Sequence, residues 1–382
     1  MSIINLKLMF GKKLVKWIML VANIVAAIFL LITLIGTVVS PVKFLAPAYF
    51  PLVFPITIIA NLGFILFWLM TRKWFFLLSL SLMLLSATQI SNTFPLHFGN
   101  LQTKKVVTPI HLLTYNTKMS GDLVKDTPQK RNNVIRYIMD SNADIICLQE
   151  FEVSTNKQYL TFDDMMRIFN KYPYKHVEIK ARMHSRLLGI ATFSKYPIVD
   201  RQRIEFKSRF NISISTDINV NGTIIRFFNN HLESNRITES DKALSVKLKE
   251  KFDADNLTDM TLVFSNKLGL AYKLRANQAD TVADLIAKSP YKVIVCGDFN
   301  DVPGSYVYTK MKGKLKDAFA ETGLGFGWTF KEPFYGFRID YVLYDQSEFT
   351  PVTYKTDKVN YSDHYPVFCQ LKINKSDSKY TN

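Results

Sequence analysis

The sequence predicts an α/β or α+β domain carried on an N-terminal membrane region. Charge segregation is the first observation behind this. Residues 1–100 hold seven Lys or Arg and no Asp or Glu, whereas 101–382 hold 41 basic and 32 acidic residues. Periodicity is the second: from Ile110 onward, short β-branched apolar runs alternate with amphipathic helical stretches. The third is that several of those runs end in Asn, Glu, His or Asp, where open α/β sheets place their chemistry.

Three apolar stretches open the chain. Trp17–Val39 carries no charge and is long enough to span a bilayer. A secretory signal would have a shorter apolar core and a small-residue cleavage site, so that reading is set aside. Phe50–Met70 is the second, with Pro51 and Pro55 near its start, where proline is tolerated. Trp74–Ile90 is the third, at the short end of the spanning range, with a buried or re-entrant helix as its alternative. Lys7, Lys12, Lys13 and Lys16 precede the first stretch and Arg72 and Lys73 join the second to the third, while residues 40–49 have only Lys43. The positive-inside rule then predicts a cytoplasmic amino terminus, a multi-pass cell-membrane protein and a catalytic region on the far side. Trp17, Trp68 and Trp74 are expected in an aromatic belt at the cytoplasmic interface.

The expected division is a membrane region over 1–90, a polar linker over 91–109, a domain over 110–373 and a polar tail over 374–382. Strands are expected at Ile110–Tyr115, Asp144–Leu148, Leu188–Phe193, Ile212–Ile218, Thr223–Asn229, Tyr291–Cys296, Ile339–Tyr344 and Val367–Leu371. Asn221-Gly222 between two of them is a two-residue hairpin signal. Gln129–Met139 reads as a helix, and 234–288 is mostly helical and charged, including Leu274–Ala287. Cys147, Cys296 and Cys369 lie far apart in apolar runs, without metal-ligand spacing, and are expected to be buried thiols. The formal charge is +16 overall and +9 over 101–382, which suits an anionic substrate.

The stretch Val293-Ile294-Val295-Cys296-Gly297-Asp298-Phe299-Asn300 concentrates the chemistry. A buried strand breaks at Gly297 and delivers a carboxylate and a carboxamide. Elsewhere Tyr115 runs into Asn116, Gln149 into Glu150 and Asn230 into His231. Asp340 opens another strand, and Asp363 and His364 precede the last. Singly, each is explained by turn chemistry; together they suggest one concave site. Carboxylates and amides without Cys ligands favour Mg²⁺ or Mn²⁺. Two histidines can stabilise phosphate charge, and one Asp can align water. No serine-hydrolase elbow, Walker loop or zinc-protease helix is present, so hydrolysis of a phosphate ester is the expected reaction.

The ordered set Leu113-Thr114-Tyr115-Asn116, Leu148-Gln149-Glu150, Asn230-His231-Leu232, Gly297-Asp298-Phe299-Asn300, Arg338-Ile339-Asp340-Tyr341 and Ser362-Asp363-His364-Tyr365-Pro366 resembles the endonuclease/exonuclease/phosphatase superfamily. Gly189–Ile198 also resembles its segment before the mid-domain strands. The resemblance covers about 109–372 and none of the membrane part. It implies a four-layer sandwich, two β-sheets face to face and flanked by helices. It further implies Glu150 as the principal Mg²⁺ ligand with Asn116 beside it and Asp363 near the metal. Asp298 and Asn300 would activate water and hold phosphate, and His364, oriented by Asp340, would stabilise the phosphoryl charge. Abasic-site endonucleases usually carry Tyr at the position of His231, and often an acidic residue at that of Lys118. His231 is shared with deoxyribonuclease-I-like enzymes, sphingomyelinases and inositol-phosphate phosphatases. The expected protein is a membrane-anchored, Mg²⁺-dependent phosphodiesterase acting on a lipid headgroup or nucleic acid, with selectivity in loops such as Lys180–Leu188 and 233–270. The alternative is a non-catalytic membrane module that binds a phosphorylated partner.

Overall fold

The computed structural model describes residues 3–97, 109–118, 120, 123–125, 127, 130, 132–235, 254–331 and 336–374, with side chains from 11 onward in the first helix and from 265 onward in the long helix before residue 288. Most of the expected linker (98–108), nearly all of the tail (375–382), residues 236–253, and Gln129 and Arg131 lie outside the described residues.

Four helices make up the N-terminal region: α1 (Ile3–Val38), α2 (Phe54–Met70), α3 (Phe76–Leu85) and α4 (Ala87–Thr93). A 3-10 turn, Ala46–Val53, leads into α2, and Pro47 and Pro51 are buried within it. Gly11–Val38 and Ala46–Met70 are each long and apolar enough to cross a membrane. The third stretch is a bent pair, because α3 and α4 meet at 65°. Its polar end, Ser86 to Thr93, lacks the continuous apolar face that would favour a straight span. The first residues of the expected linker are helical, since α4 continues to Thr93.

A buried polar network joins the first three helices. Asn23 donates to Ser79 Oγ at 2.6 Å, Trp68 Nε1 donates to Asn23 Oδ1 at 2.9 Å, and Ser79 Oγ donates to Asn61 Oδ1 at 2.8 Å. Interhelical hydrogen bonds of this kind add association energy where lipid removes the hydrophobic drive between helices. Trp68 is therefore buried between helices and is no part of an aromatic belt, whereas Trp17 and Trp74 are exposed.

The larger region contains β1 (Pro109–Asn116), β2 (Ile145–Ser154), β3 (Tyr174–Met183), β4 (Arg186–Ser194), β5 (Ile198–Ile204), β6 (Ile212–Val220) and β7 (Thr223–His231). It continues with β8 (Lys292–Asp298), β9 (Lys316–Asp317), β10 (Phe330–Lys331), β11 (Gly336–Phe337), β12 (Asp340–Tyr344), β13 (Phe349–Thr356) and β14 (Val367–Ile373). One six-stranded sheet runs β13-β14-β1-β2-β4-β3 and the other β5-β6-β7-β8-β12-β9, while β10 and β11 form a small ribbon. Each large sheet holds one parallel pair, β1 with β2 and β7 with β8. These pairs carry Asn116, Glu150, His231 and Asp298 toward one end of the sandwich.

Alternation along the strands explains the layers. Ile110, Leu112, Ile145 and Cys147 face Ile225, Phe227, Ile294 and Cys296 in the core between the sheets. All three cysteines are free thiols, and all lie in this core. The opposite faces of β1 and β2 pack under α5 (Asn133–Asp140), through Val134, Ile135 and Ile138. The outer face of β8 and β12 packs under α7 (Ala254–Ala287) and α8 (Tyr306–Lys312); α6 (Phe162–Ile168) and α9 (Ala318–Thr322) are shorter. The result is the expected four-layer sandwich. Asn221 and Gly222, at φ of 52° and 94°, make the hairpin between β6 and β7. Lys180–Leu188, expected as a loop, is instead the tip of the β3–β4 hairpin.

Candidate active site

Gly297 explains how the central strand delivers its carboxylate. Its φ is +113°, and a Cβ there would stand 2.2 Å from the Asn230 carbonyl oxygen of the paired strand. Only glycine permits this approach, and Asp298 and His231 end the two strands side by side. Glu150 reaches the same end differently. The β2–β4 register shifts between Leu148 and Phe151, and Glu150 adopts φ of +49° at that bulge. A bulge re-aims one side chain off the strand, and a non-glycine residue in this region is the kind of strain that functional sites hold.

The side chains converge. Asn116 Nδ2 donates to Asp298 Oδ2 at 3.0 Å and reaches Glu150 Oε1 at 3.4 Å, while its Oδ1 accepts from the Lys118 backbone at 3.2 Å. His231 Nε2 stands 3.9 Å from Glu150 Oε1. Asn300, at φ of 54°, donates from its backbone to Asp298 Oδ1 and from Nδ2 to Asp298 Oδ2 and the Leu232 carbonyl. His364 Nδ1 meets Asp340 Oδ2 at 2.9 Å, and its Nε2 faces Asp298 Oδ2 at 3.7 Å. Ser362 Oγ donates to the Asn116 carbonyl and accepts from the His364 backbone, which ties the last loop to the end of β1.

Burial and charge tune these groups. Burial would lower His364, yet the carboxylates of Asp340 and Asp298 outweigh it and raise the imidazole to about 10. Burial pushes Asp298 up to about 6, with Asp340 adding to it and His364 opposing. Burial also raises Glu150 and lowers His231. His364 is thus flanked by two carboxylates that favour its imidazolium form, and Glu150 is a carboxylate that burial keeps raised.

A cation would offset the burial of Glu150. Positive charge on His364 and Lys118 and one long amide contact from Asn116 oppose that burial, Asp363 adds to it, and the balance stays upward. The oxygen donors of Glu150 suit a hard divalent ion. Among the described residues, Asp298, Asp340 and His364 also form a group whose ligand atoms lie within 4.8 Å of one another. His364 bonds Asp340 through Nδ1 and turns Nε2 toward Asp298 without a hydrogen bond, so one carboxylate orients the ring and the other nitrogen stays available.

Residues 113–364 match the family model of the Endonuclease/Exonuclease/phosphatase family. The chain belongs to that family. Its members are phosphoester hydrolases such as nucleases and phosphatases, and they generally use divalent metal ions. Residues 15–93 match a domain of unknown function (DUF8431). Among curated proteins, Carbon catabolite repressor protein 4 homolog 2 of Arabidopsis thaliana is 24% identical over 223 residues, covering 52% of this chain and 36% of that protein. The chain thus spans about a third (36%) of the length of the curated relatives it matches. A solved family structure from Beutenbergia cavernae shares 15% identity, with 70% and 72% of the two chains covered and a TM-score of 0.48. The human Nocturnin catalytic domain with bound sulfate shares 17%, with 70% and 94% covered and a TM-score of 0.46.

In this family member, seven of the eight residues expected from the sequence stand in one hydrogen-bonded or close-contact set: Asn116, Glu150, His231, Asp298, Asn300, Asp340 and His364. Asp363 stands at the rim, partly exposed, with its Oδ2 3.4 Å from Lys118 Nζ. Sequence reasoning assigned no role to Gln149, Asn229, Ser362 or Thr329. Gln149 Nε2 donates to Asn229 Oδ1 at 2.6 Å, and Asn229 Nδ2 donates to the Ala191 carbonyl, which stitches the two sheets beneath the site. Thr329 Oγ1 accepts from the Ile339 and Asp340 backbones. For Gln149 and Asn229, a polar residue inside an apolar strand was the available signal.

Proposed function

We propose that this chain is a membrane-held, divalent-metal-dependent phosphoesterase, most readily a phosphodiesterase, with its catalytic region over 110–373. The observation that carries this is His364 set between Asp340, at 2.9 Å, and Asp298, at 3.7 Å, at the same strand ends as the partly buried Glu150. Glu150 would hold the metal, Mg²⁺ or Mn²⁺, with Asp363 near it. Asn116 donates to two carboxylates and accepts from Lys118, so it acts more as an orienter than as a ligand. The bound metal supplies Lewis-acid polarisation of the phosphate oxygens. Asp298, raised toward neutral pH, is suited to align water and take its proton, and Asn300 fixes it through two hydrogen bonds. His364 donates toward charge that builds on the phosphoryl oxygens, and His231 lies opposite as a second donor.

Two contacts support a membrane topology with the catalytic region away from the basic end. Lys16 Nζ lies over the Phe75 ring at 5.3 Å, which gathers the basic residues at one end of the helices. At the other end, Arg338 Nη2 donates to the Asn92 carbonyl at 2.6 Å, so the third stretch returns to the catalytic region despite its bend. The positive-inside rule makes the basic end cytoplasmic.

The test is a phosphate-ester panel of plasmid DNA, sphingomyelin, phosphoinositides and nucleotides, presented to the full chain with Mg²⁺ or Mn²⁺. Metal-dependent hydrolysis of at least one is expected. Hydrolysis of none, with retained binding, would favour the non-catalytic membrane module.

A further inference from the structure

A cavity of about 470 Å³ lies where the membrane helices meet the catalytic region. This is within the range of roughly 300–1,000 Å³ typical of small-molecule sites. Pro51, Val53 and Ile56, from the start of the second candidate span, form one wall. Val302, Trp328 and Phe337 form the other.

The second wall is built from the loops that carry the candidate active site. Val302 follows Asn300 by two residues. Thr329, next to Trp328, accepts from the Asp340 backbone at 3.1 Å. Phe337 pairs with Phe330, whose ring centroid lies 5.0 Å from that of His364. The apolar cavity and the phosphate-handling residues therefore share their supporting segments.

The rim is apolar and open. Of the lining residues Trp328 is 45% exposed, Val53 36% and Ile56 67%, the last two on a helix segment of membrane-spanning length. Apolar surface of this kind marks a lipid or ligand contact. Among the described residues the lining contains one cation, Arg338, and its guanidinium is committed to Asp317 at 2.7 Å and to the Asn92 carbonyl. A polynucleotide would need free cations along its track to neutralise its phosphates; these walls suit hydrocarbon.

We infer that this cavity takes an acyl chain of a bilayer phospholipid whose phosphodiester headgroup is presented to His364 and Glu150. The inference rests on the phosphoesterase reading and narrows its substrate to an amphiphile drawn from the membrane. A chain held beside the helices would set the depth and direction of the headgroup, and positioning of that kind lowers the entropic part of a barrier.

The experiment uses the full chain reconstituted in phosphatidylcholine vesicles that contain a phosphatidylcholine with a diazirine in its acyl chain. Photolysis is carried out in excess chelator, so binding is read without turnover. Adducts are expected on both walls, at 51–56 and at Phe326, Trp328 and 336–338. Val53→Trp should remove the adducts from Phe326, Trp328 and 336–338 and lower the ratio of long-chain phospholipid to bis-p-nitrophenyl phosphate hydrolysis tenfold or more. Ile56→Trp is the second filling variant, and Ile59→Trp, exposed and outside the cavity, should leave that ratio alone. Adducts on the spans with none at Phe326, Trp328 or 336–338 would overturn the inference, as would an unchanged ratio in both filling variants. If bis-p-nitrophenyl phosphate is hydrolysed while adducts are missing, the chain site falls and the phosphoesterase stands. Adducts without hydrolysis of any ester would keep the chain site and remove the catalytic reading.

Discussion

His364 and Asp340 form a buried ion pair, Nδ1 to Oδ2 at 2.9 Å, although they come from different strands' ends and lie 24 positions apart. A carboxylate accepts only, so Nδ1 carries the proton, and Nε2 is left to face Asp298 and, on the proposed function, a substrate phosphate. Asp340→Asn should therefore lower kcat by about 10²–10⁴, the range for a positioned acid or base. Added to His364→Ala it should cost little more, because groups that act as a unit are non-additive. A double-mutant cycle at saturating Mg²⁺ is the measurement. Additivity within about 0.5 kcal/mol would mean that Asp340 works independently, as a metal ligand would.

Glu150 is the carboxylate proposed to hold the cation. Chelation should abolish hydrolysis and Mg²⁺ or Mn²⁺ should restore it, while Glu150→Gln should raise the metal concentration for half-maximal activity. Asn116→Ala should raise it roughly 10–100-fold, the range for groups that orient a metal ligand. Metal titrations of the initial rate check both. Full activity in excess chelator would remove the assignment.

His176 gives a pH dependence away from the active site. Its Nδ1 bonds Thr216 Oγ1 at 2.7 Å across the sheets, and burial lowers it from an ordinary 6.5 to about 4. The unfolded chain therefore binds a proton between those two values that the folded chain does not. Stability is complete above pH 6.5, falls as pH drops toward 4, and loses up to about 3 kcal/mol. Urea unfolding at pH 7.5 and 4.5, compared between wild type and His176→Gln, isolates this term. Equal losses in both proteins would show that His176 does not titrate as described.

Arg338 and Asp317 are both buried, with Nη1 to Oδ2 at 2.7 Å. Asp317 also accepts from Tyr308 and caps α9 at Phe319. Asp317→Ala should destabilise by about 3–5 kcal/mol, since it strands a buried guanidinium. Thermal unfolding reads the loss. A change under about 1 kcal/mol would mean that water reaches the pair.

External protease should digest the catalytic region in right-side-out vesicles of cells that express the chain. Protection until the membrane is permeabilised would put the domain on the cytoplasmic side and make the α3–α4 pair a re-entrant hairpin.

Local patterns determined much of this protein from its sequence alone. Long uncharged stretches marked the membrane-length helices, alternation marked the central strands, and polar residues at strand ends marked Asn116, Glu150, His231, Asp298 and His364. Apart from the short β10–β11 ribbon, the strands that escaped notice, β3, β5, β9 and β13, are the four edges of the two large sheets. Edge strands face solvent on one side and carry charges that discourage pairing with other chains, as Asp200, Arg201 and Arg203 do in β5, so their apolar signal is weak. Tertiary structure alone decided what depends on pairs distant in the chain. Arg338 meets Asn92 across 246 positions, Asn116 meets Asp298 across 182, and Gln149 meets Asn229 across 80. No local window contains both members of such a pair. The aim of Glu150 was hidden for a related reason: its φ follows from a register shift against β4, and register is a property of two strands packed together.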